Sequence, residues 1–439
     1  MTPYSEHFPD DFLWGAATAA HQVEGGTLND WTSWEITNAS NWAAEAGPRI
    51  DYGNGRLPMS SWLRLAPEAV NPDNYISGQA LDNWNLWRED IDLAQSLGMT
   101  ALRFSIEWSR IQPNPYSFNR NALSHYVQIA QELRSRGMEP VVTLHHFTQP
   151  TWFSGQGGWE RKEAPVIFDR FTKIVGQAMV DADISGLSYS VINEPEQAVL
   201  SHLTGSHPPG KKNPYKYLHV VRNMAEGHNA AYDTLKAIDE TSQVASALSV
   251  WDLEPKPNRF EKVSKSLISA ARPLVLDYFR NRTVDQMDFI GVNHYMHNVI
   301  DVSKIYRNFG MWQNPKEEPR SDIGWFLHPE SLRKVLLDVA RHKKPVMVTE
   351  SGVATQNDRV REHYLVDTIK AVKGAIDEGV DVKGYFHWTL VDNFEWPPIG
   401  WMGKFGLVAV DRETMQRTPK PSAYLYRDII KRNGVVNGN

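Results

Sequence analysis

Val191-Ile192-Asn193-Glu194-Pro195 decides how the chain is read. It closes an apolar run, Leu187 to Ile192, with an amide, a carboxylate and a proline. Proline has no N–H to give a ladder, so a central strand must stop there. Asn193 and Glu194 are therefore expected at the C-terminal tip of a buried strand. A second tip of the same kind lies downstream, Pro345-Val346-Met347-Val348-Thr349-Glu350-Ser351-Gly352.

Moving outward, the same unit recurs. Phe12 to Ala20 is an apolar, small-residue run read as the first strand, and it ends at His21-Gln22. Residues 26 to about 80 read as an irregular stretch rich in Trp, Asn, Pro and Gly, of a length that usually signals function. Asp82 is expected to cap a helix carrying Leu86, Trp87, Ile91 and Ala94. Strands follow at Thr100–Ile106, Pro140–Leu144, 187–192, Val244–Val250, Met287–Val292, Pro345–Thr349 and Gly384–Leu390, with apolar residues at helical spacing between most of them. A last helix is expected over 421–432. Short apolar strands alternating with helices, without a linker or composition break, predict parallel strands and an α/β fold. Eight units favour one (β/α)8 TIM barrel over residues 1–439, with long βα loops forming a cleft. An open doubly wound sheet is disfavoured, because no Gly-x-Gly-x-x-Gly follows the first strand.

Composition narrows the function. The 439 residues are 41% hydrophobic and 22% charged, with net charge −6, which argues against nucleic-acid and anionic-membrane partners. There is no cysteine, so thiolate nucleophiles, thiolate metal sites and disulfides are excluded. Met1 to Asp11 is polar and no run reaches the ~20 apolar residues of a membrane span, so a cytoplasmic location is expected. The 16 tryptophans exceed what a core needs, whereas clefts that bind sugars use flat aromatic faces.

In a barrel, chemistry belongs to the strand tips. Those positions hold Gln22, Arg103, His145-His146, Asn193-Glu194, Asn293-His294-Tyr295, Glu350, and Trp388 followed by Glu395-Trp396. Taken singly, each has a plain structural reading as an ion-pair partner or packing residue. Together, amides, imidazole, indole and two carboxylates converge where one sugar ring fits. A metal-dependent barrel hydrolase would have to use His145, His146, His294, His297 and His387, and it lacks His-x-His or grouped carboxylates on the first strand. A sugar-binding protein on a decayed enzyme fold would be expected to have lost one of the two carboxylates.

The stretches VINEP, VTESG, GVNHY, GYFHWTLVDNFEW, KFGLVAVD, DFLWGAATAAHQVEG, TALRFSIEWSRI and VTLHH resemble glycoside hydrolase family 1, the β-glucosidase and β-galactosidase family, over about residues 8 to 431. RFSIEWSRI and DRVREHYLVDTIKAV look closest to its archaeal-type branch. The resemblance implies a retaining β-glycosidase acting on a small β-glycoside or short β-linked oligosaccharide, with no cofactor or metal. Transglycosylation by the same mechanism, and assembly as a homo-oligomer, are left open. It further implies Glu194 as general acid/base and Glu350 as nucleophile, with carboxyls ~5–5.5 Å apart. Arg103 and Tyr295 would hold Glu350 ionised, with Asn293 beside them. Asn193 would bond the 2-hydroxyl, and Gln22, His146, Glu395 and Trp396 the others. Trp388 would lie under the ring, and Trp325 would flank the aglycone. Glu395, Gly403 and Phe405 imply an unphosphorylated sugar, since the carboxylate would repel a 6-phosphate and no phosphate cradle is present. Several features depart from the family pattern: Phe147 stands where Trp is usual, Ser351 replaces Asn, Pro397-Pro398 and an apparent one-residue insertion change the loop before Lys404-Phe405, and the loop at 40–75 does not match.

Overall fold

The computed structural model describes residues 7–46, 59–304, 311–312 and 319–435. Eight strands close a parallel barrel in which each pairs with its sequence neighbours. They are β1 (Leu13–Ala17), β2 (Ala101–Ser105), β3 (Glu139–His145), β4 (Ser188–Asn193), β5 (Gln243–Ser249), β6 (Ile290–Asn293), β7 (Val346–Ser351) and β8 (Val382–Trp388). Helices α1 (Asn83–Ser96), α2 (Arg120–Ser135), α3 (Ala164–Asp181), α4 (Pro214–Ile238), α5 (Glu261–Val275), α6 (Glu330–Ala340), α7 (Asp358–Asp377) and α8 (Pro421–Arg432) follow them in order. The expected (β/α)8 barrel is therefore the fold.

Side chains alternate along each strand, and the alternation divides the core in two. Ala16, Leu102, Val142, Val244, Val348 and Tyr385 pack outward against the helices. Their neighbours Ala17, Ala101, Val141, Ala245, Met347 and Phe386 belong to a separate cluster that also holds Trp388 and Phe405. The interior is thus filled, and the strand tips above it carry the polar groups.

The expectations need four corrections. The stretch 26–80 is not irregular: it holds a helix at Asp30–Glu45, another at Met59–Ala69 and a 3-10 turn at Pro72–Tyr75. Asn29 starts the first helix by accepting from the Thr32 N–H at 3.0 Å, and Trp31, Glu35, Ala39 and Ala43 form its buried face. A carboxylate in that stripe hides the helical period; Glu35 is tolerated because His21 (2.6 Å) and Ser77 bind it. Residues 47–58 of that stretch, and residues 1–6 of the polar N-terminal segment, lie outside the described residues.

Asp82 precedes α1 with φ 50°, and its carboxylate takes side-chain N–H groups of Gln79 and Asn85 rather than capping the helix backbone. The strand expected from Met287 begins only at Ile290, because Asp288 is occupied with the Val244 N–H and with Lys236. A small three-stranded sheet, Asp252–Pro255, His297–Ile300 and Met311–Trp312, lies outside the barrel and is not predicted, nor is α5. No described helix is long and apolar enough to cross a membrane.

The last helix locks the seam where the first and last strands meet. The buried Tyr426 hydroxyl on α8 donates to the Gly15 carbonyl of β1 (2.9 Å) and the Tyr385 carbonyl of β8 (3.2 Å). Nearby, the Trp14 indole N–H donates to Asn433 at 2.9 Å, and Asn433 bonds back to Phe8. Tyr426→Phe keeps the packing and loses the hydroxyl, which is expected to cost about 1–2 kcal/mol. Tyr426→Ala adds a cavity and is expected to cost about 3–5 kcal/mol. Thermal unfolding of both variants checks this; equal midpoints for wild type and Tyr426→Phe would remove the hydroxyl from the seam.

Candidate active site

β4 ends by turning its last residues upward. Asn193 closes the strand after a register shift against β5, and Glu194 adopts φ 43° before Pro195 opens a 3-10 turn. A non-glycine residue in that region carries about 1–3 kcal/mol of strain, which the surroundings must hold. The Glu194 N–H donates to the Ala247 carbonyl of β5 at 2.7 Å, and Glu196 in the turn accepts from the Ser249 N–H at 3.0 Å. β7 shows the same behaviour, with register shifts against both neighbours around Glu350. Such irregularities re-aim side chains at barrel rims.

Arg103, fully buried on β2, joins the two tips. Its guanidinium donates to the Glu350 carboxylate, to the Asn193 carbonyl at 2.7 Å, to the Thr143 hydroxyl at 3.1 Å and to the Thr349 carbonyl at 3.3 Å. The Tyr295 hydroxyl donates to the other Glu350 oxygen at 2.7 Å. Burial, and next the Glu350 charge, hold the Tyr295 phenol far above its ordinary range, so it remains a donor. The Asn293 amide donates to Asn193 (3.0 Å) and to Glu194 (2.8 Å), and it accepts from Thr349 (2.7 Å). One bonded chain therefore runs from Glu350 through Arg103, Asn193 and Asn293 to Glu194.

The two carboxyls meet different surroundings. Among the described residues, Glu194 has amide donors only, Asn293 and Gln197 (2.6 Å), and no direct cation. Burial, reinforced by the Glu350 charge, pushes it up to about 7. Glu350 has a guanidinium and a phenol on its oxygens.

The far end of the cavity is built by the loop after β8. Glu395 and Gly400 exchange backbone hydrogen bonds at 3.1 Å in a tight hairpin, and Gly400 turns with φ 62° against the Asn74 carbonyl, where a Cβ would come within 2.0 Å. The hairpin presents Glu395 to the Trp388 indole N–H (3.1 Å) and to the Gln22 amide (3.3 Å), which also donates to the Phe394 carbonyl (2.6 Å). Burial pushes Glu395 up to about 8. A Cβ on Gly403 would sit 2.7 Å from Glu395 Cγ, so a larger residue at 403 would clash there.

His146 follows β3; its Nε2 accepts from the Asn193 amide at 3.1 Å, while burial and then the Arg103 charge hold the ring neutral. Its Nδ1 and Gln22 Oε1 have no partner among the described residues. His146, Asn193, Glu194, Asn293, Tyr295, Trp325, Glu350, Trp388, Glu395, Trp396 and Phe405 all line one cavity of about 410 Å³. Gln22 and Arg103 stand behind it, bonded to Glu395 and Glu350. The structure thus brings together all thirteen residues singled out in the sequence. Gln197 and Glu196 were missed; their roles depend on the 3-10 turn after Pro195, which no spacing announces.

The imidazoles considered for a metal are used singly: His145 accepts from Trp159, His294 bonds Val250 and Ser331, and His387 bonds Phe405. Among the described residues, the group spaced to hold a metal is Asp252, Glu254 and His297, on the outer sheet, and the Lys334 ammonium already pairs with Glu254 there.

The chain is similar to known proteins over nearly its whole length. The family model for glycosyl hydrolase family 1 matches residues 4–285 and 273–435. β-Glucosidase A of Thermotoga maritima is 29% identical over 98% of this chain and 98% of its own length. A β-galactosidase of Sulfolobus acidocaldarius is 30% identical over 86% of this chain and 91% of its own. Among solved structures, a β-glycosidase from Pyrococcus horikoshii superposes with a TM-score of 0.81 at 29% identity, covering 98% of this chain and 96% of that one. The Thermotoga maritima β-glucosidase in complex with castanospermine gives 0.81 at 26% identity, over 99% of this chain and all of that one. With its family model spanning nearly the whole length, the chain belongs to glycosyl hydrolase family 1.

Proposed function

We propose that the protein is a retaining β-glycosidase that removes terminal, unphosphorylated β-D-glucosyl groups, and β-D-galactosyl or β-D-fucosyl groups as well, by double displacement. The observation that carries this reading is the contrast between two buried carboxyls in one cavity: Glu350 on a guanidinium and a phenol, Glu194 on two amides and pushed up to about 7. Two carboxyls whose surroundings push them apart are the acid and the nucleophile of a retaining glycosidase. The names of the relatives, β-glucosidase and β-galactosidase, support the same class of substrate.

In the first step, Glu350 attacks the anomeric carbon as the Glu194 proton moves to the glycosidic oxygen and the aglycone leaves. The carboxyl–sugar ester is then cleaved by water that Glu194, now a carboxylate, deprotonates. Asn193 keeps one amide N–H free for the 2-hydroxyl, a bond that tightens as positive charge develops on the ring. Arg103 is a positioning residue: it fixes Glu350 and Asn193 relative to each other before substrate arrives, the preorganisation that electrostatic catalysis requires. Trp325 packs on Tyr295 (5.7 Å) and Phe405 (5.9 Å) at the Glu350 side of the mouth, a position suited to the aglycone.

Glu194 must be protonated to act as the acid. The kcat/KM of an alkyl β-glucoside is therefore expected to fall as pH rises through about 7, since its limb reports the free enzyme's acid. Glu194→Ala is expected to lower kcat/KM about 10²–10⁴-fold on that substrate and to abolish the limb, with little change on a dinitrophenyl glucoside, whose leaving group needs no proton. Equal losses on both substrates, with the alkaline limb intact, would assign the acid elsewhere.

Glu395, a carboxyl with one oxygen toward Trp388 and one toward Gln22, suits the neighbouring 4- and 6-hydroxyls at the ring's far edge. Glu395→Ser is expected to cost about 3 kcal/mol in kcat/KM on glucosides and clearly less on xylosides, which lack the 6-hydroxyl. Kinetics on paired nitrophenyl glucosides and xylosides, with 6-phosphoglucoside as the third substrate, measure this; a wild-type preference for the phosphorylated sugar would overturn the reading of the pocket.

A further inference from the structure

The space around Glu194 does not end with the catalytic cavity. A second cavity of about 460 Å³ lies against it, and Phe147, Glu194, Gln197 and His207 face both. Each volume falls within the roughly 300–1,000 Å³ of small-ligand sites. The catalytic cavity continues outward past the carboxyls to Trp251, Met296 and Trp325, so a glycone and its leaving group have room there without the second.

The second cavity is built. Its outer wall is the helix Asp30–Glu45, which supplies Trp31 and Trp34, and the loops after β3 supply Gln149 and Trp159. The Asp30 carboxylate accepts from the Gln149 backbone N–H (2.9 Å) and side-chain amide (3.1 Å), tying helix to loop. An aromatic run crosses between the cavities: Trp31 lies 4.5 Å from Trp396 and 5.0 Å from His207, and Phe147 lies 5.0 Å from Trp396. In the same wall, the Trp34 indole N–H and the Gln149 side-chain carbonyl have no partner among the described residues. Flat indole faces beside amides and imidazoles match a pyranose, which offers an apolar C–H face and a rim of hydroxyls.

The position of the shared wall says how such a ring would be attached. Glu194 stands at the glycosidic oxygen and Asn193 at the 2-hydroxyl. His146, 3.1 Å from Asn193, comes next around the ring, and Phe147 follows it. The wall therefore runs along the 2,3-edge of the glycone. We propose that the second cavity is a branch subsite, taking a further sugar unit joined through the 2- or 3-oxygen of the glycone; this rests on the glycone pose of the proposed function. The long segment after β1 then has a use, since its first helix encloses that unit.

Nitrophenyl β-sophoroside and β-laminaribioside carry the extra glucose on the 2- and 3-oxygen respectively, and chromatography of the first sugar released reads the outcome. Release of the intact disaccharide from at least one is expected, with kcat/KM within about tenfold of nitrophenyl β-glucoside, and the linkage that works identifies the oxygen. Trp34→Ala is expected to reduce that release at least about tenfold while glucoside hydrolysis stays within about twofold. Thr37→Trp, which narrows the cavity from an exposed position, is expected to do the same and serves if Trp34→Ala does not fold. Glucose as the first sugar from both disaccharides, or parallel losses on glucoside and disaccharide substrates, overturns the branch subsite alone. No cleavage of the simple glucoside overturns the proposed function beneath it.

Discussion

A guanidinium with no exposed surface sits near the centre of this barrel, and the site is arranged around it. Taking Arg103 out of water costs several kcal/mol unless its donors are matched. Glu350, Asn193, Thr143 and the Thr349 carbonyl match them, and they come from three strands other than its own. The ion pair is thus a geometric constraint as much as an attraction. It can be satisfied only if β2, β3, β4 and β7 stand in register, which is the arrangement that brings the carboxyls together.

The same pairing creates the chemical asymmetry. The cation is spent on Glu350, and burial and a negative neighbour push Glu194 up to about 7 against the opposing pull of its two amide donors. In the proposed mechanism, two identical side chains thereby take opposite tasks through their neighbours. Asn293 matters in the same way, since its amide spans Asn193 and Glu194 while Thr349 fixes its orientation. A lysine in place of Arg103 could offer the charge and could not offer the fork that reaches both tips.

Much of this was legible in the residues. Pro195 stops β4 and so locates Asn193 and Glu194 at a tip, and the alternation of strand and helix placed the other tips without any measurement. α8 begins and ends where its apolar spacing and Pro421 say. What escaped depended on contacts distant in sequence. The helix at Asp30–Glu45 hides because Glu35 interrupts its apolar face, and that residue is acceptable only once His21 and Ser77 have met it. The outer sheet consists of short strands of two to four residues with little apolar pattern. Gln197 reaches Glu194 only through the turn that Pro195 starts, and the second cavity exists only where three loops meet.

The central claim is that Glu350 forms a covalent bond to the sugar while Glu194 does not. Incubation with a 2-deoxy-2-fluoro-β-glucoside bearing a dinitrophenyl leaving group slows the second step more than the first, so an ester accumulates if the mechanism is double displacement. Peptide mass spectrometry should then find one fluoroglucosyl group on the peptide containing Glu350, on the glutamate side chain itself, with inactivation and labelling advancing together. Labelling of Glu194 or of any other residue, or turnover to an inverted sugar with no adduct, would contradict the account.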